Sequence, residues 1–159
     1  MVDARTDPLI ALGNALAQPG QPKPAYEAFD RLASELFGHR LLTVLAWHGS
    51  AEVERVHTSR PADYPLLGRK RMGVTAWGEI VLKGGQPWFG KSADDIRWAF
   101  PDHELILSLG CESCLNAPIR FDGRVLGVVS VLDAAGSYDE EDLRALQPLA
   151  QMLAPTFLR

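Results

Sequence analysis

The sequence has little of what would place it in a special class of protein. Its 159 residues include only two cysteines, and its formal charge of −4 is a mild excess of acid. The longest apolar run, VLGVVSVL, is far shorter than the roughly 20 residues that cross a bilayer, and no basic leader precedes a long apolar stretch at the N-terminus. We therefore expect a cytoplasmic protein that binds neither nucleic acid nor a membrane, since neither surface attracts a weakly acidic chain.

Motifs for hydrolytic, phosphate-binding and zinc chemistry are also missing. The chain has no serine elbow, no phosphate loop and no HExxH helix. Cys111 and Cys114 have no second pair that would complete the four ligands of a zinc site. His48 and His57 could meet across a hairpin, but no carboxylate is spaced to join them. We expect no metal and no cofactor, and we expect the basic run Arg69–Arg71 to lie in a solvated loop.

The composition is that of a folded globular domain. Hydrophobic residues make up 47% of the chain and charged residues 23%, and this length suits one domain whose core needs no disulfides. Residues 1–24 combine a short amphipathic stretch with the proline-rich segment QPGQPKP, which indicates a helix and a linker. We expect a single domain over residues 25–159.

The spacing of apolar residues predicts the elements of this domain in order. A helix over 26–37 precedes a buried strand over 41–48 and a half-exposed strand over 52–59, and 61–71 is expected to be a loop. Shorter elements follow. They are a helix within 74–82, a strand at 87–89, a helix that Ser92 caps, a helix from Pro101 to about Leu109, and a last helix that Ser137 and Glu140 cap.

The segment CLNAPIRFDGRVLGVVSVLD predicts a β-hairpin. Asp122 and Gly123 stand between two apolar runs, and a type I′ turn needs positive φ at both of its central residues. A regular two-residue turn predicts the pairs Phe121–Arg124, Ile119–Leu126 and Ala117–Val128. One face would then carry Leu115, Ala117, Ile119, Leu126 and Val128, and the other Cys114, Asn116, Pro118, Val125, Val129 and Val131. Both faces are largely apolar, so both need to be covered.

Three segments in this order resemble a GAF domain. GVTAWGEIVLKGGQPW resembles the family's glycine-led helix, the hairpin resembles its signature hairpin with Pro118 and Gly127 in the two strands, and SYDEEDLRALQPLAQML resembles the start of its last helix. The likeness covers roughly residues 26–158. It implies an α/β (α+β) fold of profilin- or PAS-like type, with a mainly antiparallel sheet of five to six strands. Terminal helices would cover one face, and pocket-forming helices and loops the other.

The resemblance also implies a role. Most family members are sensor modules of enzymes or transcription regulators, so we expect a bacterial-type signalling module that binds an unknown small molecule and regulates a protein partner. Members often pair through their terminal helices, which implies a homodimer through 26–37 and 143–158. An interaction domain whose pocket is filled by its own side chains is an alternative, and it predicts no cavity large enough for a ligand.

One branch of the family, the free methionine-R-sulfoxide reductases, is enzymatic. At the positions that match its motif, this chain has Thr75 in place of a cysteine, and Cys114, Ser130 and Leu132 in place of acidic residues. We therefore expect no enzyme activity. A thiol-based enzyme or redox sensor that uses Cys111 and Cys114 stays open as an alternative. The motifs of cyclic-nucleotide-binding and bilin-binding members do not match this chain either.

The candidate ligand-binding residues are mainly aromatic. Indole rings provide a large apolar surface with one hydrogen-bond donor, which suits a small planar or apolar ligand. Most of these residues fall in the segment expected to roof the pocket, although core packing would also explain them. They are Trp47, Trp77, Trp88, Phe89, Trp98 and Phe100, to which we add Cys114 and Asn116 from the first strand of the hairpin.

Overall fold

A computed structural model describes residues 7–66 and 69–158. The helices of this part are α1 (Pro8–Leu16), α2 (Lys23–Leu36), α3 (Ala76–Gly78), α4 (Ala93–Ala99), α5 (His103–Ser108) and α6 (Glu140–Gln151), with a π-helical turn at Glu79–Lys83 and a 3₁₀ turn at Ala154–Phe157. The strands are β1 (Leu41–Trp47), β2 (Val53–Thr58), β3 (Arg69–Lys70), β4 (Trp88–Gly90), β5 (Ser113–Phe121) and β6 (Arg124–Asp133).

The strands form one antiparallel sheet in the order β3-β2-β1-β6-β5-β4. This confirms the predicted fold class and strand number. The prediction that 61–71 is entirely loop is wrong at its end, because Arg69 and Lys70 pair with Glu54 and Val53 as an edge strand. A two-residue strand carries no alternating pattern, so the sequence gives no signal for it.

The sheet is covered on both faces. Core residues of β1, β5 and β6 pack on one face against α1, α2 and α6, in a cluster that includes Leu12, Phe29 and Leu146. On the other face, alternate residues of the same strands pack against α4, α5 and the π-helical turn, in a cluster that includes Trp77 and Ile106. Two apolar faces on the central strands therefore correspond to two separate cores.

The hairpin turn forms as predicted, but the register beyond it does not. Asp122 and Gly123 have φ of 51° and 76°, as a type I′ turn requires, and Phe121 pairs with Arg124. A bulge then leaves Leu126 without a partner residue, so that Ile119 pairs with Gly127.

This bulge overturns the predicted pairs beyond the turn. Ala117 pairs with Val129 instead of Val128. A shift of one residue exchanges the two faces. Val129 and Val131 therefore share the core of Leu115, and Val128 shares that of Cys114.

The start of α6 also differs from the prediction. Asp139 caps the helix and accepts a hydrogen bond from the backbone N–H of Asp142 at 2.9 Å, and Asp142 accepts one from the N–H of Asp139 at 3.0 Å. The capping box is therefore Asp139–Asp142, and the prediction of Ser137–Glu140 is wrong. Aspartate serves at both positions because its short carboxylate reaches the free N–H groups of the first turn.

Candidate functional site

A small cavity lies on the α4–α5 side of the sheet. Its floor is formed by β1 and β6, and its other walls by α5, the segment between β2 and β3, and Phe100. The volume is about 10 Å³, which is room for about one water molecule. Four polar side chains line it, Thr43, Tyr64, Lys70 and Ser130, and the remaining lining is apolar. A nearly buried lysine therefore lies at the wall of this cavity.

Three side chains converge on the carboxylate of Asp102 beside this cavity. Nζ of Lys70 lies 2.9 Å from Oδ2 of Asp102, Nη2 of Arg55 lies 3.6 Å from it, and the hydroxyl of Tyr64 donates a hydrogen bond to it. The Lys70 and Arg55 side chains are only 8% and 5% exposed. We call Arg55, Tyr64, Lys70 and Asp102 the Asp102 cluster. One carboxylate is therefore the shared counter-charge of two nearly buried cations.

The aromatic ring of Tyr64 contacts both cations of this cluster. The guanidinium carbon of Arg55 lies 3.5 Å from the ring centroid, and Nζ of Lys70 lies 4.9 Å from it. Arg55 also donates to the carbonyl of Pro65. Cation–π contacts of this kind are strongest where water is excluded. The segment that carries Tyr64 and Pro65 is thus attached to the sheet through Arg55.

Burial controls the ionisation of the cluster. It lowers the pKa of Lys70 to about 8, and the neighbouring charge of Asp102 opposes that change. Burial, followed by the charge of Asp102, raises the pKa of the Tyr64 hydroxyl far above its usual value. At neutral pH Tyr64 is therefore a neutral donor. With Lys70 protonated, the cluster carries two positive charges and one negative charge.

Asn116 connects the aromatic roof to the cavity wall. Its Oδ1 accepts a hydrogen bond from Nε1 of Trp77 at 3.0 Å, and its Nδ2 donates to the hydroxyl of Ser130 at 2.7 Å. All three side chains are buried. Asn116 does not line the cavity itself but fixes Ser130, which does.

The structure brings four of the six predicted aromatic residues together. Trp77 and Phe100 have ring centroids 6.0 Å apart, and Trp88 lies 6.1 Å from Phe100 and 5.8 Å from Trp98, on which it stacks. Trp77 is fully buried, whereas Trp98 is 52% exposed. Of this group, Phe100 touches the cavity. The others form a packed roof behind it.

The other two aromatic residues lie elsewhere. Phe89 packs against the core of α2 and α6 on the opposite face of the sheet, because neighbouring residues of a strand point to opposite sides. Trp47 lines an open groove formed by residues 47–49, 82–85, 123–126 and Arg120, which we call the tip groove.

Both thiols are buried in the core that contains Trp77. Burial raises the pKa of Cys111 to about 11, and it raises that of Cys114 further, with the charge of Cys111 adding to the effect. The thiolate is the reactive form of cysteine. These surroundings hold both residues as neutral thiols, and neither lines the cavity.

His48 and His57 do not contact each other. His57 donates a hydrogen bond to Oδ2 of Asp30 at 3.0 Å, and Nε2 of His39 lies 3.0 Å from Oδ1 of the same carboxylate. His48 instead lies 4.0 Å from Glu54. The suggested approach of His48 and His57 is therefore wrong, because His57 pairs with Val44, four residues before His48 in the chain.

The Asp102 cluster is the part of the site that sequence reasoning missed. The prediction that Arg69, Lys70 and Arg71 lie in a solvated loop is wrong for Lys70, whose side chain is 8% exposed. The only local signal is in β2, where Arg55 follows buried Val53 at the spacing of one strand face. Nothing near Asp102 in the sequence marks its partners.

Residues 7–66 and 69–158 contain neither a candidate metal site nor a candidate membrane-spanning helix. No group of three or more histidine, cysteine, aspartate or glutamate side chains in these ranges is placed to hold a metal ion. None of the helices there is long and apolar enough to cross a bilayer.

Comparison of the chain with known families identifies one matching family. A family model described as GAF domain matches residues 27–156. No curated protein matches. Among solved structures, the GAF domain of an Acinetobacter phosphoenolpyruvate-protein phosphotransferase has a TM-score of 0.75 and 13% identity over 99% of this chain and 95% of its own. The corresponding Coxiella burnetii domain has a TM-score of 0.74 and 18% identity over 98% and 95%.

An enzyme is also among the similar structures. A free methionine-R-sulfoxide reductase from Neisseria meningitidis, solved in complex with its substrate, has a TM-score of 0.65 and 20% identity over 99% of this chain and 92% of its own. At such low identity, these likenesses show a shared fold.

Proposed function

This chain belongs to the GAF domain family, and from that premise we propose that it is a sensor module that binds a small organic anion at the Asp102 cluster and regulates a protein partner. GAF domains are commonly signalling and ligand-binding modules. The observation that supports this function is the convergence of Arg55, Tyr64 and Lys70 on a single carboxylate beside a cavity.

The charge of the cluster favours an anionic ligand. Arg55 and Lys70 are nearly buried, and Asp102 is the one acidic side chain in contact with them in the described part of the chain. A buried cation without a full counter-charge is costly. A ligand with two carboxylates that displaces Asp102 would supply both negative charges, and the hydroxyls of Thr43 and Ser130 offer hydrogen bonds at the same cavity.

Binding at this cavity requires a movement. A volume of about 10 Å³ holds no organic molecule, so the wall must open. Asp102 precedes α5 and connects Lys70 on β3 with Tyr64 in the segment before it. A ligand anion that takes over Lys70 and Arg55 would release Asp102 and with it the segment that carries Tyr64. This movement would be the signal to the partner.

Substitutions of Lys70 and of Asp102 are expected to change ligand affinity in opposite directions. Native mass spectrometry of freshly purified protein would identify a retained molecule, and a series of short mono- and dicarboxylates would be titrated by thermal shift. We expect Lys70→Met to abolish the shift and Asp102→Asn to increase affinity about tenfold, because a competing carboxylate is removed. Lys91→Met, at an exposed lysine paired with Glu140, is the matched control. Equal responses of all three variants would refute the proposal.

A structural role is the second candidate, and the cavity volume favours it. If the side chains around the cavity are its only occupants, no molecule is retained in native mass spectrometry and no carboxylate raises the melting temperature of the wild type. The thiol-based alternative gains no support from the geometry, since Cys111 and Cys114 are buried and held as thiols.

Two further expectations stay proposals. The homodimer through the terminal helices would cover exposed apolar side chains such as Leu36 and Met152, and light scattering that shows only monomer at high concentration would refute it. A domain boundary near residue 24 is tested by truncation. Leu12 of α1 lies in the same core as Phe29 of α2, so removal of α1 exposes part of that core.

A further inference from the structure

The tip groove is an open cavity separate from the one at the Asp102 cluster. Three elements form it: the turn after β1 at 47–49, the end of the π-helical turn at 82–85, and the β5–β6 hairpin with Arg120 and 123–126. Its volume is about 570 Å³, within the range of pockets that hold small organic ligands. It shares no lining residue with the cavity at the Asp102 cluster.

All titratable side chains that line the tip groove are basic, although the whole chain has a charge of −4. They are His48, Lys83, Arg120 and Arg124. Glu79 lies 2.6 Å from Lys83, and Glu54 lies 4.0 Å from His48. The two arginines make no ion pair with any residue in 7–66 or 69–158, although Asp122 stands between them in the hairpin turn. Two guanidinium groups are thus free to bind an anion.

Two hydrogen bonds with Gln151 fix the backbone of Arg120. Its N–H donates to Oε1 of Gln151 at 2.9 Å, and the side-chain amide of Gln151 donates to its carbonyl. Its side chain lies over Gly85, where φ is +63° and a Cβ would stand 3.3 Å from Cδ of the arginine. A glycine at this position therefore lets the guanidinium reach into the groove.

Trp47 provides an apolar wall of the same groove. It is half-buried, and its Nε1 donates to the carbonyl of Ser50 at 2.9 Å. This bond satisfies the polar atom of the indole, so the ring can serve as a stacking surface. Two arginines and an indole wall therefore line one groove.

We propose that the tip groove is a second binding site, for an organic phosphate that carries a planar ring. Arg120 and Arg124 bind the phosphate oxygens, because guanidinium groups form paired, charge-assisted hydrogen bonds with phosphate. Trp47 stacks on the ring. The N–H of Gly84 already donates to the carbonyl of Glu79, so recognition of the anion depends on the side chains.

Isothermal titration calorimetry with AMP as the probe tests the site at constant ionic strength. We expect saturable, submillimolar binding of AMP to the wild type, with adenosine and inorganic phosphate each bound at least tenfold more weakly. Arg120→Gln and Arg124→Gln each reduce AMP affinity about tenfold, and Trp47→Leu weakens AMP but not inorganic phosphate. All three positions are partly or fully exposed, so the variants remain folded.

Arg144→Gln, at an exposed arginine on α6, is the matched control and keeps wild-type affinity. Lys70→Met also keeps it, which separates this site from the Asp102 cluster. The proposal is overturned by an absence of AMP binding to the wild type or by unchanged affinity in the double variant of Arg120 and Arg124. Equal affinity for inorganic phosphate and AMP overturns the proposed ligand class.

Discussion

Lys70 and Asp102 form an ion pair of 2.9 Å that joins the edge strand β3 to the start of α5. The lysine side chain is 8% exposed and the carboxylate 26%. The pair therefore connects two walls of the cavity, while the other carboxylate oxygen of Asp102, Oδ1, is buried without a hydrogen-bond partner among the described residues. Both its stability and its proposed replacement by a ligand follow from this position.

Asp102→Asn is expected to lower the free energy of unfolding by roughly 3 kcal/mol, because it leaves Lys70 and Arg55 buried without a counter-charge. The partial exposure of Asp102 places the effect at the lower end of the range for broken buried pairs. Urea denaturation at neutral pH measures it. Asp63→Asn removes an exposed pair with Arg60 and should cost less than about 0.5 kcal/mol. Equal losses in the two variants would contradict the assigned burial.

The carboxylate of Asp30 makes stability depend on pH in acid. Burial alone would raise its pKa, but hydrogen bonds from His39 and His57 outweigh burial and lower the pKa to about 2, from an ordinary value of 3.8. Because the folded state holds the proton less tightly, the stabilisation is present above pH 3.8 and is lost as the pH falls to about 2. The shift corresponds to about 2 kcal/mol.

Asp30→Asn isolates this contribution. We expect the wild type to exceed the variant in free energy of unfolding just above pH 4, and this advantage to be lost as the pH falls from 3.8 to about 2. Denaturation of both proteins across this range measures the difference. A difference that does not change with pH would show that the carboxylate charge has no part in it.

The two thiols are expected to be unreactive in the folded protein. A pKa near 11 for Cys111 reduces its thiolate fraction about 100-fold relative to a free cysteine, and Cys114 is also fully buried. Labelling with a chromogenic disulfide at pH 7.5 should therefore be at least about 100-fold slower in native protein than in urea. Rapid labelling of native Cys111 would instead support the thiol-based alternative.

Alanine at two glycines should have opposite effects on stability. A Cβ on Gly127 would stand 2.3 Å from the carbonyl oxygen of Leu45 and 2.9 Å from the ring of Phe157, so Gly127→Ala should cost about 2 kcal/mol by overpacking. Gly13 lies within α1 with no atom within 4 Å of its Cβ position. Gly13→Ala should add about 0.5–1 kcal/mol through helix propensity. Thermal denaturation compares them, and effects of the same sign would contradict the packing around β6.

Much of the fold could be predicted because its signals are local. The Asp122–Gly123 turn, the apolar stripe of α2 and the order of helices and strands each depend on a few neighbouring residues, and the structure confirms them. The register of the strands could not be predicted in the same way. The bulge at Leu126 changes the face of every later residue in β6. Leu126 is one apolar residue in an apolar run, so nothing in the sequence marks the bulge.

The candidate site was harder to predict because tertiary contacts define it. The run Arg69–Arg71 contains three basic residues of similar character, and only Lys70 is turned inward. Its partner Asp102 belongs to another segment, and no spacing rule connects the two. Trp47 and Phe89 show the same limit for aromatic residues. Composition identified them as candidate pocket residues, whereas the pairing of strands decided which cavity or core each one faces.

The alternation of side chains along β6 gives the sheet a mechanical property. Ser130 and Leu132 line the cavity, while Val129 and Val131, their immediate neighbours in the chain, pack beneath the terminal helices. These side chains share one continuous backbone. We therefore expect a displacement of the strand on the cavity side to be transmitted directly to the helix side, because no loop or hinge intervenes between these residues.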